Sequence, residues 1–272
     1  MEFGKVVFEG VNMDFGKIIS NSVKYPFRNI KKLPILFILF ILISTIPIAW
    51  LSKNNYLLAF GLFSLFLFIL IVPGYLFSMV QIGLNESSMF PSLSFGDTIR
   101  DSIRLLVLRI VYMIVPACIL FIVLSTLSIS GANLQFDMSI LSFALTMGVL
   151  LIVAIVVYVL FEILLFFAKA RLAYLNSLSE ALKIHEVVND IRSIGVFNII
   201  KWLIFMAVMM VVFTFISAWV MEIPYVGFLI YIGIVIPILE SIGNYSLGLL
   251  YSNITRKNNG LVKFENELDN YN

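Results

Sequence analysis

Residues 56–80 read YLLAFGLFSLFLFILIVPGYLFSMV, a stretch without a single charged side chain. A helix needs about 20 mostly apolar residues to cross the hydrocarbon core of a bilayer. This stretch therefore predicts a transmembrane helix. Five further runs are almost as apolar, and they lie at about 33–51, 105–129, 139–168, 196–220 and 225–251. The sequence thus predicts six transmembrane spans.

The composition of the chain agrees with this prediction. Hydrophobic residues make up 61% of the 272 residues and charged residues 12%, far from the balance of a soluble domain. We expect an all-α polytopic membrane protein with one membrane domain over residues 1–251 and a polar cytoplasmic tail over 252–272. The formal net charge of +2 is too small to indicate a nucleic-acid partner.

The positions of the basic residues predict the orientation of the spans. Of the 18 Lys and Arg residues, only Lys53 falls on one side of the six predicted spans. Lys and Arg are enriched on the cytoplasmic side of membrane proteins. We therefore expect a multi-pass protein of the cell membrane whose two termini are both cytoplasmic.

A short motif recurs before the first and third spans. Residues 15–24 read FGKIISNSVK and residues 95–104 read FGDTIRDSIR, and a more diverged copy begins at Ser177. Apolar residues recur at steps of three and four in each copy, which is typical of an amphipathic helix. We expect these helices to lie on the cytoplasmic surface, with their apolar faces toward the acyl chains and their bases toward anionic lipid headgroups. Each would precede one of three parallel hairpin repeats, at about 14–94, 95–176 and 177–251.

An alternative explanation for the period remains open, because any six-span protein with short outer loops shows a hairpin period. The first two copies share more identical residues than a simple hairpin period would produce, whereas the third copy shares hardly more. The repeats are therefore a hypothesis that rests mainly on residues 15–24 and 95–104.

Several short motifs resemble an uncharacterised archaeal family of integral membrane proteins, domain of unknown function 4013. In chain order they are SNSVKYPFRNIKKL before the first span, Gly74-Tyr75, Phe90-Pro91, IVYMIVP in the third span, ARLAYLNSLSEAL after the fourth and IPYVG before the last. The resemblance implies a helical multi-span membrane protein. It implies no activity, substrate or catalytic residue.

The sequence lacks the usual signatures of a membrane enzyme. His185 is the single histidine, so the chain has neither a His pair for a metal nor an HExxH helix. No GxxxxGK[ST] loop is present to hold a nucleotide. Cys118 is the single cysteine and lies in an apolar run, where a packing role is favoured over a redox role. We expect no enzyme activity, no cofactor and no metal.

A few polar residues lie at membrane depth and are the candidate functional residues. Arg109 and Glu162 belong to adjacent predicted spans of one hairpin, so an ion pair between them is favoured, mainly as a structural pair. Glu240 lies near the middle of the sixth span, with Asn244 one turn later. This carboxylate and amide would either bind a cation or proton or form hydrogen bonds to a neighbouring helix.

Two classes of function remain open. A transporter or permease-like component for a small solute or ion is favoured by the parallel repeats and by the candidate intramembrane polar site Glu162, Glu240 and Asn244. The alternative is a non-catalytic membrane organiser, or a partner-binding subunit of a membrane complex. The amphipathic helices and the scarcity of buried charge favour this second class. A protein partner or a second copy of the chain is possible under both.

Overall fold

The computed structural model describes the backbone of residues 15–131 and 139–269, and the side chains of residues 15–125 and 148–254. Within these residues the chain is helical and contains no strand. The α-helices of this part of the chain are α1 (Phe15–Arg28), α2 (Pro34–Ser52), α3 (Asn55–Leu84), α4 (Phe95–Gly131), α5 (Ser139–Leu175), α6 (Leu178–Ala181), α7 (Ile184–Ile194), α8 (Val196–Met221), α9 (Val226–Ile230) and α10 (Ile236–Asp269). A π-helical turn, Tyr231–Val235, joins α9 to α10.

Six helical segments among the described residues are long and apolar enough to cross a membrane. They are Pro34–Ser52, Asn55–Leu84, Phe95–Ser125, Gly148–Leu175, Val196–Met221 and Val226–Ile254. The structure thus confirms six helices of the length and apolar character that the six predicted spans require. The protein is a multi-pass integral membrane protein, and its last span combines α9, the π-helical turn and the first half of α10.

The first two spans form a hairpin with a very short connection. Lys53 ends α2 with a left-handed backbone conformation, at a φ of 51°. Asn54 then begins α3, because its side-chain oxygen accepts hydrogen bonds from the backbone N–H groups of Tyr56 and Leu57, at 3.0 and 3.1 Å. Such an N-cap satisfies two of the N–H groups that a helix start leaves unpaired. The sequence Lys-Asn-Asn therefore reverses the chain within three residues.

The three predicted surface segments differ from one another in the structure. The first is a separate helix, α1, and Pro34 begins the following helix because the missing N–H of proline is tolerated in a first turn. The second is continuous with the third span in α4, so the prediction of a separate surface helix is wrong there. No Gly or Pro stands between Gly96 and Pro116 to interrupt the helix.

The third segment consists of two helices, α6 and α7. Ser177 caps α6 by accepting a hydrogen bond from the N–H of Glu180 at 3.4 Å. Gly195 separates α7 from α8 at a φ of 91°, a value that residues with a Cβ rarely adopt. The third segment is thus a bent connection, where the sequence predicts one amphipathic helix.

The apolar face of α1 packs on protein, where the sequence predicts that it lies in lipid. α1 lies against α10, and Ile18, Ser22 and Tyr25 on the packed face are buried. Lys24 and Arg28 on other faces are exposed. The amphipathic pattern of α1 therefore serves to pack one face of the helix on α10, while Lys24 and Arg28 remain at the surface.

The described residues form two compact units. One contains Phe15–Ser102 together with the chain from Asn189 onward, and the other contains Ile103–Val188. The second unit covers most of the second predicted repeat, and the first unit combines most of the other two. Whether three equivalent repeats exist stays a prediction.

In the first unit, α3 packs most extensively against α10 and also forms the hairpin with α2. Gly83 of α3 and Gly248 of α10 lie at the crossing of their helices. A Cβ on Gly248 would approach the carbonyl oxygen of Val80 to 2.3 Å, and one on Gly83 would approach that of Tyr245 to 2.5 Å. Small residues allow helix backbones in membranes to approach closely, and these two glycines do so here.

α10 continues well beyond the predicted membrane boundary. The sequence predicts a polar tail from residue 252, but the helix runs without a break to Asp269. Side chains are described as far as Ile254, and Tyr251 and Ser252 are both buried. The last turn of the span therefore still packs on the rest of the unit.

Candidate functional site

Glu240 and Asn244 form the polar site in the middle of the sixth span. Glu240 lies midway along Val226–Ile254, and the side-chain amide of Asn244 donates to its carboxylate at 3.1 Å and to its backbone carbonyl at 2.7 Å. Asn244 is buried, whereas Glu240 is exposed. The structure brings the two predicted residues together.

The helix is irregular directly before this site. The π-helical turn Tyr231–Val235 ends just ahead of Pro237. A proline ring inside a regular α-helix collides with the carbonyl four residues earlier and cannot donate a hydrogen bond. A widened turn relieves that collision, and such turns are frequent at functional sites. Ser241, one turn after Pro237, donates its hydroxyl to the proline carbonyl at 2.7 Å.

Arg109 and Glu162 lie together in the second unit. The guanidinium Nη2 of Arg109 is 3.4 Å from Oε1 of Glu162, so the two predicted partners are in contact. Tyr158 donates its hydroxyl to the same carboxylate oxygen at 2.8 Å. The sequence analysis missed Tyr158, although it precedes Glu162 by one helical turn. The Arg109 side chain is 62% exposed and that of Glu162 22%, so the pair is open at its arginine end.

The two polar sites belong to different compact units, and the structure describes each by itself. Among the residues with described side chains, no group of three or more His, Cys, Asp or Glu residues could hold a metal ion.

A group of three tyrosines, which we name the tyrosine clasp, holds the connection between α3 and α4. The clasp consists of Tyr25, Tyr75 and Tyr245, all buried. Their hydroxyls donate to carbonyls of this connection: Tyr25 to Met89 at 3.2 Å, Tyr75 to Pro91 at 3.4 Å and Tyr245 to Ser87 at 3.1 Å.

The clasp also joins α1 to α10 through a ring contact. The rings of Tyr25 and Tyr245 stack with their centroids 3.9 Å apart and their planes 5° from parallel. Phe90 stacks near Tyr25, with centroids 5.4 Å apart. Burial raises the pKa of Tyr25 far above its usual value, so its hydroxyl stays protonated and remains a donor. Sequence reasoning missed the clasp, because its members are far apart in the chain.

Gly74 explains why a Gly-Tyr pair stands late in the second span. A Cβ at this position would lie 2.0 Å from the carbonyl oxygen of Thr98, so α3 and the start of α4 are in backbone contact there. The N–H of Gly74 donates to the hydroxyl of Ser102 at 2.8 Å. Gly74 thus lets the two helices approach, and Tyr75 beside it belongs to the clasp.

Arg171 organises the connection after the fourth span. Its side chain is 11% exposed and lies 3.8 Å from the carboxylate of Glu180 and 3.6 Å from that of Glu186. Lys183 approaches Glu180 to 2.6 Å, and this hydrogen bond, with the charges of Lys183 and Arg171, lowers the pKa of Glu180 below its usual value. The motif ARLAYLNSLSEAL therefore supplies Arg171 and Glu180 to an ion-pair network that the sequence analysis did not identify.

Comparison with known proteins places the chain in a family. No curated protein and no solved structure matches it. The family model described as protein of unknown function (DUF4013) matches residues 57–221, which is more than half of the chain. Four of the six motifs that carry the resemblance lie inside the match, and SNSVKYPFRNIKKL and IPYVG lie outside it. The protein is an integral membrane protein whose described residues include six helices long and apolar enough to span a membrane, and it belongs to the DUF4013 family.

Proposed function

We propose that the protein is a transporter or permease-like component that moves a small solute or ion, with Glu240 and Asn244 as its intramembrane site. One observation carries the proposal: an exposed carboxylate at the middle of a span, held by a buried amide directly after a π-helical turn. The proposal includes no catalytic group, cofactor or metal.

The energetic argument concerns the cost of Glu240 in the membrane. An ionised carboxylate at the centre of a spanning helix costs roughly 3 kcal/mol on insertion scales. Asn244 supplies one hydrogen-bond donor and no compensating charge. The remaining cost disappears when the carboxylate takes up a proton, contacts water or binds a cation. A group that exchanges between these states during a transport cycle would couple the movement of a solute to that of an ion.

The proposal also includes the topology: the protein lies in the cell membrane, and both of its termini are in the cytoplasm. The single base on the opposite side, Lys53, supports it through the charge asymmetry of the loops. Cysteines introduced at Lys53 and at Asn259 should react with a membrane-impermeant maleimide from opposite sides, in a background where Cys118 is replaced by Ala. Labelling of both positions from the same side would refute the topology.

The transport proposal is tested by replacing Glu240 in reconstituted vesicles. Glu240→Gln keeps the shape of the side chain and its contact with Asn244 but removes the charge, and Glu240→Leu removes both. We expect both variants to lose uptake or efflux across a panel of metabolites and of proton and sodium gradients, with Glu240→Gln as stable in detergent as wild type. Glu222→Gln is a matched control, because Glu222 is exposed at the end of α8, outside the middle of a span.

Two results decide the outcome. Loss of flux in Glu240→Gln with normal flux in Glu222→Gln supports transport through this site. Wild-type flux in a well-folded Glu240→Gln protein removes Glu240 from the mechanism.

A second candidate function is a non-catalytic organiser or partner-binding subunit. It is favoured by the spans Gly148–Leu175 and Val196–Met221, in each of which 6% of the most apolar window is buried within the chain. Such spans offer extensive apolar surface to lipid or to other membrane helices. Normal flux in the Glu240→Gln variant, together with a purified species larger than one chain in mild detergent, would favour this candidate.

A further inference from the structure

The segment from α1 to the start of α2 carries bases without acids. Residues 15–34 include no Asp or Glu. Lys24, Arg28, Lys31 and Lys32 are all exposed, and none of them forms an ion pair with an acidic residue whose side chain the structure describes. Within the part of the chain whose side chains are described, no acidic residue neutralises these four bases.

The bases of the other two predicted surface segments are mostly engaged within the protein. Arg100 lies 3.1 Å from Asp97 and 3.8 Å from Asp101. In the third segment, Lys183 approaches Glu180 to 2.6 Å. The sequence predicts similar basic faces on all three segments. The structure distinguishes them by their neighbouring acids: Arg100 and Lys183 have acidic partners, whereas Lys24, Arg28, Lys31 and Lys32 have none among the described side chains.

The position of this cluster relative to the membrane follows from the next helix. Lys31 and Lys32 stand directly before the spanning helix that begins at Pro34, so they lie at the depth of lipid headgroups. Phe27 and Ile30 stand among the bases and are 53% and 58% exposed. Apolar side chains beside bases are the pattern of helices that bind at the boundary between headgroups and acyl chains.

The tyrosine clasp fixes the orientation in which α1 presents these residues. Tyr25 is stacked on Tyr245 of α10, and Asn29 donates from its side chain to the carbonyl of Ser88 at 3.0 Å. α1 is therefore attached on one face, so that face cannot be the one inserted in lipid. The exposed side that remains, on α1 and on the turn between α1 and α2, carries the four bases, Phe27 and Ile30.

We propose that this exposed side is a binding surface for anionic phospholipid headgroups, which we name the α1 basic surface; it consists of Lys24, Phe27, Arg28, Ile30, Lys31 and Lys32. The phosphate of a headgroup accepts hydrogen bonds from the ammonium and guanidinium groups, and Arg28 can bind it through two parallel N–H groups. This surface is separate from Glu240, and its existence does not depend on transport.

The expected selectivity follows from the charge. Each base near an anionic membrane surface contributes an attraction that corresponds to about a fivefold change in affinity. Removing two of the four bases should therefore weaken the binding of an anionic lipid about twentyfold to thirtyfold. Binding of a zwitterionic lipid with the same acyl chains should stay unchanged.

Native mass spectrometry of the purified full chain in a nonionic detergent can measure this. The probes are phosphatidylglycerol, phosphatidylcholine with the same acyl chains, and inorganic phosphate, each titrated against wild type, Lys31→Gln/Lys32→Gln and Arg100→Gln/Lys183→Gln. The last double variant is the matched control, since it removes two exposed bases that already have acidic partners. Thermal unfolding without added lipid checks that each variant folds.

We expect phosphatidylglycerol to bind wild type more tightly than phosphatidylcholine, and Lys31→Gln/Lys32→Gln to lose that preference. The control double variant should keep it within about threefold. Equal losses in the two double variants, or equal binding of the two lipids to wild type, would overturn the proposal. Binding of inorganic phosphate as tightly as phosphatidylglycerol would also overturn it, since the surface would then be a site for a free anion.

Discussion

Replacement of Gly248 by Ala tests the crossing of α3 and α10. The new Cβ would lie 2.3 Å from the carbonyl oxygen of Val80 and 2.8 Å from the Cα of Gly83. Both neighbours are backbone atoms, so no side-chain rotation can relieve the overlap. An ordinary contact begins at 3.4 Å, and the helices must therefore move about 1 Å apart.

The cost of that movement can be worked out from the contacts around the crossing. A gap of about 1 Å forfeits up to half of the dispersion attraction across the contact, and overpacking itself typically costs about 1–3 kcal/mol. Separation also strains the hydrogen bond from Tyr245 to Ser87, 3.1 Å long, on the same side of α10. We expect Gly248→Ala to destabilise the protein by about 3 kcal/mol, which lowers the melting temperature by about 6–12 °C.

Gly148→Ala is the matched control for this measurement. Gly148 is also a helical glycine, and a Cβ there would meet no atom within 4 Å. Replacing a helical glycine by alanine at an open position stabilises a protein by up to about 1 kcal/mol. The assay is thermal unfolding in detergent, followed by tryptophan fluorescence. Equal melting temperatures for the two variants would show that α3 and α10 do not cross at Gly248.

Three further outcomes are expected from thermal unfolding in detergent. Tyr25→Phe should cost about 1 kcal/mol, because it removes one hydrogen bond and keeps the ring stack, whereas Tyr25→Ala should cost about 3–5 kcal/mol; similar values for both would mean that the stack contributes nothing. Arg109→Gln should destabilise the wild-type protein more than it destabilises the Glu162→Gln variant, because the contact between the two side chains is already lost in that variant. Additive losses of stability in the double variant would exclude this coupling. The pKa of Glu180 is lowered from its ordinary 4.5, so the stability that its carboxylate contributes is complete above pH 4.5 and is lost as the pH falls through the lower pKa of the folded protein. Glu180→Gln should therefore flatten the acidic part of the profile of melting temperature against pH. An unchanged profile would contradict the ion-pair network.

The spans were predictable from the sequence because their signal is local. Length and apolar character decide whether a segment can cross a bilayer, and both are visible in a single run such as residues 56–80. The contact of Arg109 with Glu162 was also predictable, because the two adjacent spans form a hairpin whose residues at similar depth face each other. Neither inference needs information on how distant helices pack.

Contacts between distant segments were not predictable, because nothing local specifies them. The partner of Tyr25 is Tyr245, at the other end of the chain. The exposure of Glu240 depends on how α10 is rotated about its axis, and a span that is apolar on all sides gives no periodic signal for that rotation. In contrast, the absence of Gly and Pro between Gly96 and Pro116 indicates that α4 is continuous, whereas the resemblance of residues 95–104 to 15–24 suggests a separate helix.

The tyrosine clasp has a consequence for the order in which the protein matures. Tyr25 and Tyr75 leave the ribosome first, and Tyr245 follows only after the third, fourth and fifth spans have been made. Chains fold as they are synthesised, and a segment whose partner has not yet emerged stays without it. The first hairpin must therefore enter the membrane before the tyrosine clasp has formed. Insertion of α10 then brings α1, the α3–α4 connection and Tyr245 into contact. A nascent chain arrested before Tyr245 should thus expose the α3–α4 connection to protease, and the full-length chain should protect it.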